Sequence, residues 1–174
     1  STGQTLVVFV YTDTQGSRIA TPEIPLAEVD TFAYLKVKDV TDFGAFFDWG
    51  ISKDLLVPGN QQKVKVQLGE YHLVRICVEP ETNRLYGTTK IGAYTETSDV
   101  DLKEKDLVEI LPFKKTNLGI KVLIEEKYMG MLYHNEVFSK ITLGTKTKGI
   151  IKKVRSDGLV DVSLQAQGMK NLRD

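Results

Sequence analysis

Thr41-Asp-Phe-Gly-Ala-Phe-Phe-Asp-Trp-Gly50 is the stretch that decides the fold. It begins at the end of the alternating run Tyr34–Val40, passes a glycine turn, forms a second strand and stops at the tight turn Asp48-Trp-Gly50. Working outward, residues 34–90 read as strand, glycine turn, strand, short strand, loop, strand, turn, strand. Residues 107–165 read the same way. Gly44 corresponds to Gly119, Arg84 to Leu159 and Lys90 to Gln165, each at an offset of 75. Self-similarity at a fixed offset marks a duplicated structural unit.

Strand signals also recur at Leu6–Tyr11, Leu73–Val78, Leu107–Leu111, Gly119–Ile124, Gly149–Val154 and Leu159–Leu164, whereas long amphipathic helices are missing. The expected fold is all-β: tandem five-stranded OB-type barrels of about 65–75 residues each. The expected domains are 28–97 and 98–167. Residues 1–27 read as the last two strands of a further, truncated copy, because Leu6–Tyr11, Asp13, Gly16 and Arg18–Thr21 match Leu73–Val78, Asn83 and Arg84–Thr88. A lone hairpin is marginal in water, so this one is expected to dock on its own barrel or on another chain, as in a dimer. Pro22–Pro25 and Thr95–Lys105 read as linkers, and the tail from Gln167 as a cut edge.

Composition narrows the function classes. The 174 residues carry 23 basic and 23 acidic side chains. The balance runs from −3 over residues 1–30 to +3 over residues 98–174, so long-range steering of a polyanion should be weak and any binding site local. The single cysteine, Cys77, excludes an internal disulfide and reads as a buried thiol. No apolar run is long enough to cross a membrane, no leader is visible at Ser1, and a cytoplasmic location is expected. No phosphate-cradling glycine loop, nucleophile elbow or cysteine pair is present. His72 and His134 have no second ligand at metal spacing. The expectation is a non-enzymatic protein without metal or cofactor.

The candidate site is a ring platform with basic neighbours. Phe43 and Phe46 are three apart, and a bulge at Gly44 would place both on one barrel face, since Ala45 and Phe47 supply the inward positions. Two exposed rings stack unpaired bases with little sequence preference. Lys36 and Lys38 share a face of their strand. Lys53 follows the tight turn, Arg84 opens the last strand and Lys90 closes it. Trp49 reads equally as a second stacking surface or as a packing plug. Asp48 and Asp54 read as solvated rim carboxylates. The second unit carries Leu118-Gly-Ile-Lys121 where the first has Phe43-Gly-Ala-Phe46, so its rings are gone, and Lys114, Lys115, Lys146, Lys148, Lys152, Lys153 and Arg155 supply charge instead.

Phe43-Gly-Ala-Phe46, Leu55-Leu-Val57, Gly69, Val74, Ile76, Arg84 and Lys90 together resemble the S-one RNA-binding domain. The resemblance implies that Phe43, Phe46 and Arg84 contact single-stranded RNA. The family's histidine position falls on Val57 and its aspartate position near Pro80. In the second unit Tyr133 takes the histidine position and could stack one base. Asp48-Trp-Gly50 with Lys53–Pro58, the hairpin Phe9–Tyr11 with Arg18–Thr21, and Gly149–Gly158 are similar to the bacterial CvfB (conserved virulence factor B, YitL-type) family. That likeness runs over nearly the whole chain and implies consecutive S-one modules, a following winged-helix domain begun at 168–174, and RNA binding in gene regulation. The competing reading is a protein-interaction scaffold made of degenerate barrels.

Overall fold

The structure, a computed structural model, describes residues 8–12, 17–21, 23, 25–133 and 141–164. The turn at Asp13–Gly16, His134, Gln165 and the tail from Gln167 lie outside them. The chain divides into two compact units, Ser1–Ile91 and Gly92–Asp174. The described residues hold twelve strands and two 3-10 turns, Gly59–Gln61 and Ile91–Tyr94, and no α-helix.

In the first unit, β1 (Phe9–Thr12) and β2 (Arg18–Thr21) form a separate antiparallel hairpin. A five-stranded sheet follows: β3 (Phe32–Val40), β4 (Gly44–Asp48), β5 (Leu55–Pro58), β6 (Tyr71–Val78) and β7 (Leu85–Thr88), in the order β5-β4-β3-β6-β7. The second unit repeats it with β8 (Leu107–Lys115), β9 (Gly119–Ile124), β10 (Tyr128–Tyr133), β11 (Thr147–Val154) and β12 (Val160–Leu164), closed into a barrel where β10 pairs in parallel with β12. Both are OB-type barrels. In the first, the sheet curls until β7 meets β5 by packing. A Cβ on Gly87 would lie 2.9 Å from Val57 Cγ2 and 3.0 Å from Leu55 Cδ2. The hydroxyl of Thr88 and the backbone N–H of Thr89 both donate to the carbonyl of Gln61, at 3.1 and 3.0 Å, and hold that seam shut.

The duplication reaches the backbone bonds. Asp30 (φ 66°) donates its N–H to Ile76 O at 2.8 Å, and Lys105 (φ 74°) donates to Ile151 O at 2.7 Å. Gly69 (φ 85°) donates to Val37 O, and Gly144 (φ 87°) to Pro112 O. Each pair is separated by the offset of 75 read from the sequence. The bulges match too: the β3–β4 register slips between Val37 and Asp39, and the β8–β9 register between Pro112 and Lys114.

That bulge corrects one expectation. It lies at Lys38, opposite Phe46 and Phe47 in the ladder, and not at Gly44. Gly44 serves a close approach instead, since a Cβ there would sit 2.7 Å from Val57 O and 2.9 Å from Pro58 Cα. Phe43 stands before β4 begins, in a turn closed by the N–H and hydroxyl of Thr41, which donate to Gly44 O at 2.8 and 2.9 Å. Strand alternation therefore does not govern Phe43.

Each barrel has its own core. Leu35, Val37, Ala45, Phe47, Leu55 and Val57 alternate inward in the first, and Ile110, Ile120, Val122, Ile124 and Leu132 in the second. The hairpin packs on the first core through one face of β1. Phe9 and Tyr11 are stacked at 6.0 Å, while Val10 between them is exposed. Phe9 also meets the Trp49 ring edge-on at 5.4 Å.

Candidate nucleic-acid interface

A groove of about 570 Å³ runs across the first unit. Phe43 and Phe46 border it on one side, Lys53 and Asp54 at the turn before β5, Glu79, Pro80 and Arg84 at the β6–β7 turn, and Tyr11 and Thr12 from the hairpin. Five residues expected at a binding site, Phe43, Phe46, Trp49, Lys53 and Arg84, thus line one concavity. Phe43 is 66% exposed, Phe46 is half-buried, and their rings meet edge to face at 6.4 Å. Phe46 faces outward because Ala45 and Phe47 on either side are fully buried. Its register partner on β5, Leu56, lines the same groove. The β6–β7 turn that carries Arg84 is fixed by the Glu79 N–H, which donates to Arg84 O at 2.9 Å, and by Asn83 in the left-handed region at φ 58°.

Trp49 and the other expected residues are placed differently. Trp49 is fully buried, and its indole Nε1–H donates to Lys53 O at 2.6 Å. It is a plug within the first barrel, the packing alternative of its two readings, and it lies under the groove that it lines. Its indole bond pins the backbone of the groove residue Lys53. Lys38 is exposed and pairs with Asp54 at 3.3 Å, so it reaches the rim only through that carboxylate. Lys36 lies in register with Tyr71, beside the stacked pair Tyr34–Tyr71, whose rings are 5.4 Å apart. Burial and the neighbouring Tyr71 hold the Tyr34 phenol above its ordinary pKa. Neither Lys36 nor the exposed Lys90 lines the groove. Asp48 is occupied locally, accepting from the Gly50 N–H at 3.0 Å. Cys77 is buried, and the His72 ring contacts Glu70 at 3.0 Å.

In the second unit Tyr133 is drawn into an ionic cluster. Its hydroxyl bonds Asp161 Oδ1 at 3.1 Å and also meets the Arg155 guanidinium, which itself bonds Asp161 and lies 5.6 Å from the Tyr133 ring centroid. Burial, followed by the Asp161 contact, raises the Tyr133 phenol above its ordinary pKa. The strand register sets Gly119 opposite Tyr133 and Gly44 opposite Pro58, so Tyr133 is the counterpart of Pro58. Val57 is matched by the buried Leu132.

Two aromatic residues of the groove, Tyr86 and Tyr11, were not expected there. Tyr86 had a signal, because it shares a strand face with Arg84 at spacing two. Tyr11 had none in its local sequence, since only the seating of the hairpin brings it to the groove.

No protein-family model matches the chain. It is 27% identical over 170 residues to the uncharacterized protein YitL of Bacillus subtilis, covering 90% of this chain and 55% of that protein. It is 28% identical over 151 residues to conserved virulence factor B of Staphylococcus aureus, covering 82% and 50%. The chain therefore spans about half the length of the curated relatives it matches. Among solved structures it is similar to a multidomain protein with nucleic acid binding domains from Streptococcus pneumoniae, with TM-score 0.48 and 19% identity over 92% of this chain and 60% of that one. The chain is thus a homologue of the bacterial proteins named YitL and conserved virulence factor B.

Proposed function

We propose that the chain binds single-stranded RNA through the groove of its first unit, with residues 28–97 and 98–167 as two S-one-type modules and no catalytic step. The observation that carries this reading is the convergence of Phe43, Phe46, Lys53 and Arg84 on one open concavity. Rings on an open surface accept unpaired bases, each stacked base contributing roughly 1–3 kcal/mol. Lys53 and Arg84 reach for the phosphates between them. Asp54 and Glu79 share the groove, but each carboxylate is engaged: Asp54 by Lys38, and Glu79 by the Thr82 hydroxyl at 2.5 Å. Near-neutral local charge makes the rings, not the cations, the main source of affinity. The hairpin belongs to this site as a seated element, on its own barrel. A role in gene regulation, in the cytoplasm of a bacterial cell, fits such a module.

The test is fluorescence anisotropy with a labelled pyrimidine RNA on the chain and on Phe43→Ala/Phe46→Ala. Loss of at least tenfold in affinity supports the reading. Unchanged affinity in the double variant removes the groove as the site. Absence of RNA binding by the unaltered chain favours the scaffold alternative, for which the loss of rings at Leu118–Lys121 is the motivating feature.

A further inference from the structure

The groove is not made by the five-stranded sheet alone. Tyr11 and Thr12 line it from a hairpin that forms a separate two-stranded sheet. Three sets of contacts seat that hairpin and its connection. Phe9 sets its ring edge-on to Trp49 at 5.4 Å. The Glu23 carboxylate accepts from the Ser52 N–H at 3.1 Å and from the Ser52 hydroxyl at 2.8 Å. The Leu26 N–H donates to Trp49 O at 2.6 Å. Ser52 and Trp49 flank the turn that delivers Lys53 to the groove, so the contacts that seat the hairpin also fix the groove's basic residue.

We propose that Tyr11 is a nucleic-acid-contacting residue, a third ring added to Phe43 and Phe46, and that the site is complete only while the hairpin is seated. This rests on the RNA reading of the groove. The geometry favours a base-stacking role for Tyr11 because Phe9, not Tyr11, makes the edge contact with Trp49, and Tyr11, stacked on Phe9 and half-buried on the core, lines the groove. Glu23 and Ser52 are positioning residues in this scheme and touch no RNA. Affinity is then scaled by the fraction of chains with the hairpin seated, because binding to a site that is only partly populated is weakened by that fraction. Whatever lifts the hairpin withdraws one wall of the groove and its ring.

The experiment measures affinity for a labelled oligouridine by anisotropy on the whole chain and on Tyr11→Ala, Tyr11→Phe, Ser52→Ala and Phe46→Ala. Seating is read in parallel from the emission of Trp49, the only tryptophan. The expected result is a five- to tenfold loss in Tyr11→Ala that exceeds any loss of seating read from Trp49 emission, wild-type affinity in Tyr11→Phe, and a smaller loss in Ser52→Ala. Affinity within twofold of wild type in Tyr11→Ala, while Phe46→Ala loses tenfold, overturns the third ring and leaves the groove standing. An equal loss in Tyr11→Phe and Tyr11→Ala overturns the stacking role, since the ring is retained in the first. Unchanged affinity in Phe46→Ala overturns the groove reading itself, and this inference with it.

Discussion

Val74 Cγ1 stands 2.6 Å from where a Cβ on Gly87 would sit, and the second barrel reverses the pair: its counterparts are Gly149 and Val162, with 2.8 Å between a Cβ on Gly149 and Val162 Cγ1. One position of the contact is valine and the other glycine in each barrel, with the roles exchanged. Close-packed interiors conserve volume locally, and either glycine fits only because its partner is large.

The first expectation follows. Gly87→Val should destabilise the first unit by about 1–3 kcal/mol through overpacking, since the new side chain also meets Val57 and Leu55. Adding Val74→Ala should restore part of the loss, giving a favourable coupling in a double-mutant cycle. Urea unfolding followed by Trp49 fluorescence reads the first unit, because that residue sits in its core. Strict additivity of the two substitutions would show that the pair is not coupled.

The balance of charge in the groove sets the salt dependence of binding. If Lys53 and Arg84 each displace one counterion, the slope of log affinity against log salt should be about −1.4. Lys53→Ala should halve that slope, whereas Phe46→Ala should lower affinity at every salt concentration and leave the slope alone. Titration at several potassium chloride concentrations separates the two. A slope several times steeper would move the phosphate contacts to the lysine-rich second unit.

The repeat was legible because it is written in turns. Gly44 recurs as Gly119 in the sequence, and the structure adds Thr41 with Thr116 and Gly69 with Gly144, whose short-range bonds impose the same backbone regardless of what the strands carry. The ring pair was legible for a related reason: buried Ala45 and Phe47 leave Phe46 one direction to face. The bulge at Lys38 was not, because two residues opposing one is a property of the ladder and of neither strand alone. Trp49 reads as platform or plug from sequence since an indole serves in both. What decided it was a bond from its Nε1–H to a carbonyl four residues on, together with the covering Phe9 ring. The part played by Tyr11 depends on contacts over a distance in sequence that no local pattern encodes.

The Glu23–Ser52 contact should respond to acid. The backbone bond from Ser52, followed by its hydroxyl bond, lowers the Glu23 pKa from the ordinary 4.5. A lowered folded-state value means that the contact's contribution is present above pH 4.5 and is lost as pH falls through the lower value. Hairpin seating, read from Trp49 emission, should therefore weaken in that acid range, and Glu23→Gln should flatten the response. A wild-type profile in Glu23→Gln would assign the acid response to another group.

Tyr133 is expected to be silent in RNA binding, and the reason is its company. Its counterpart Pro58 lines the groove of the first unit, and so do Pro80 and Tyr86, the residues at the places of Arg155 and Asp161. The second unit thus fills with a bonded Tyr133–Arg155–Asp161 cluster the face that the first leaves open. A base could reach the Tyr133 ring only by displacing Arg155 from Asp161, exchanging charge-assisted bonds for one stacking contact. Removing the ring in Tyr133→Ala should change RNA affinity by less than twofold, and so should Tyr133→Phe. Tyr133→Phe should instead alter alkaline stability: the raised phenol pKa means a contribution present below pH 10 and lost as pH rises through the higher folded-state value. Thermal unfolding of wild type and Tyr133→Phe between neutral and strongly alkaline pH reads that difference. A loss of RNA affinity in Tyr133→Ala comparable to that in Phe46→Ala would place a second binding face on the second unit.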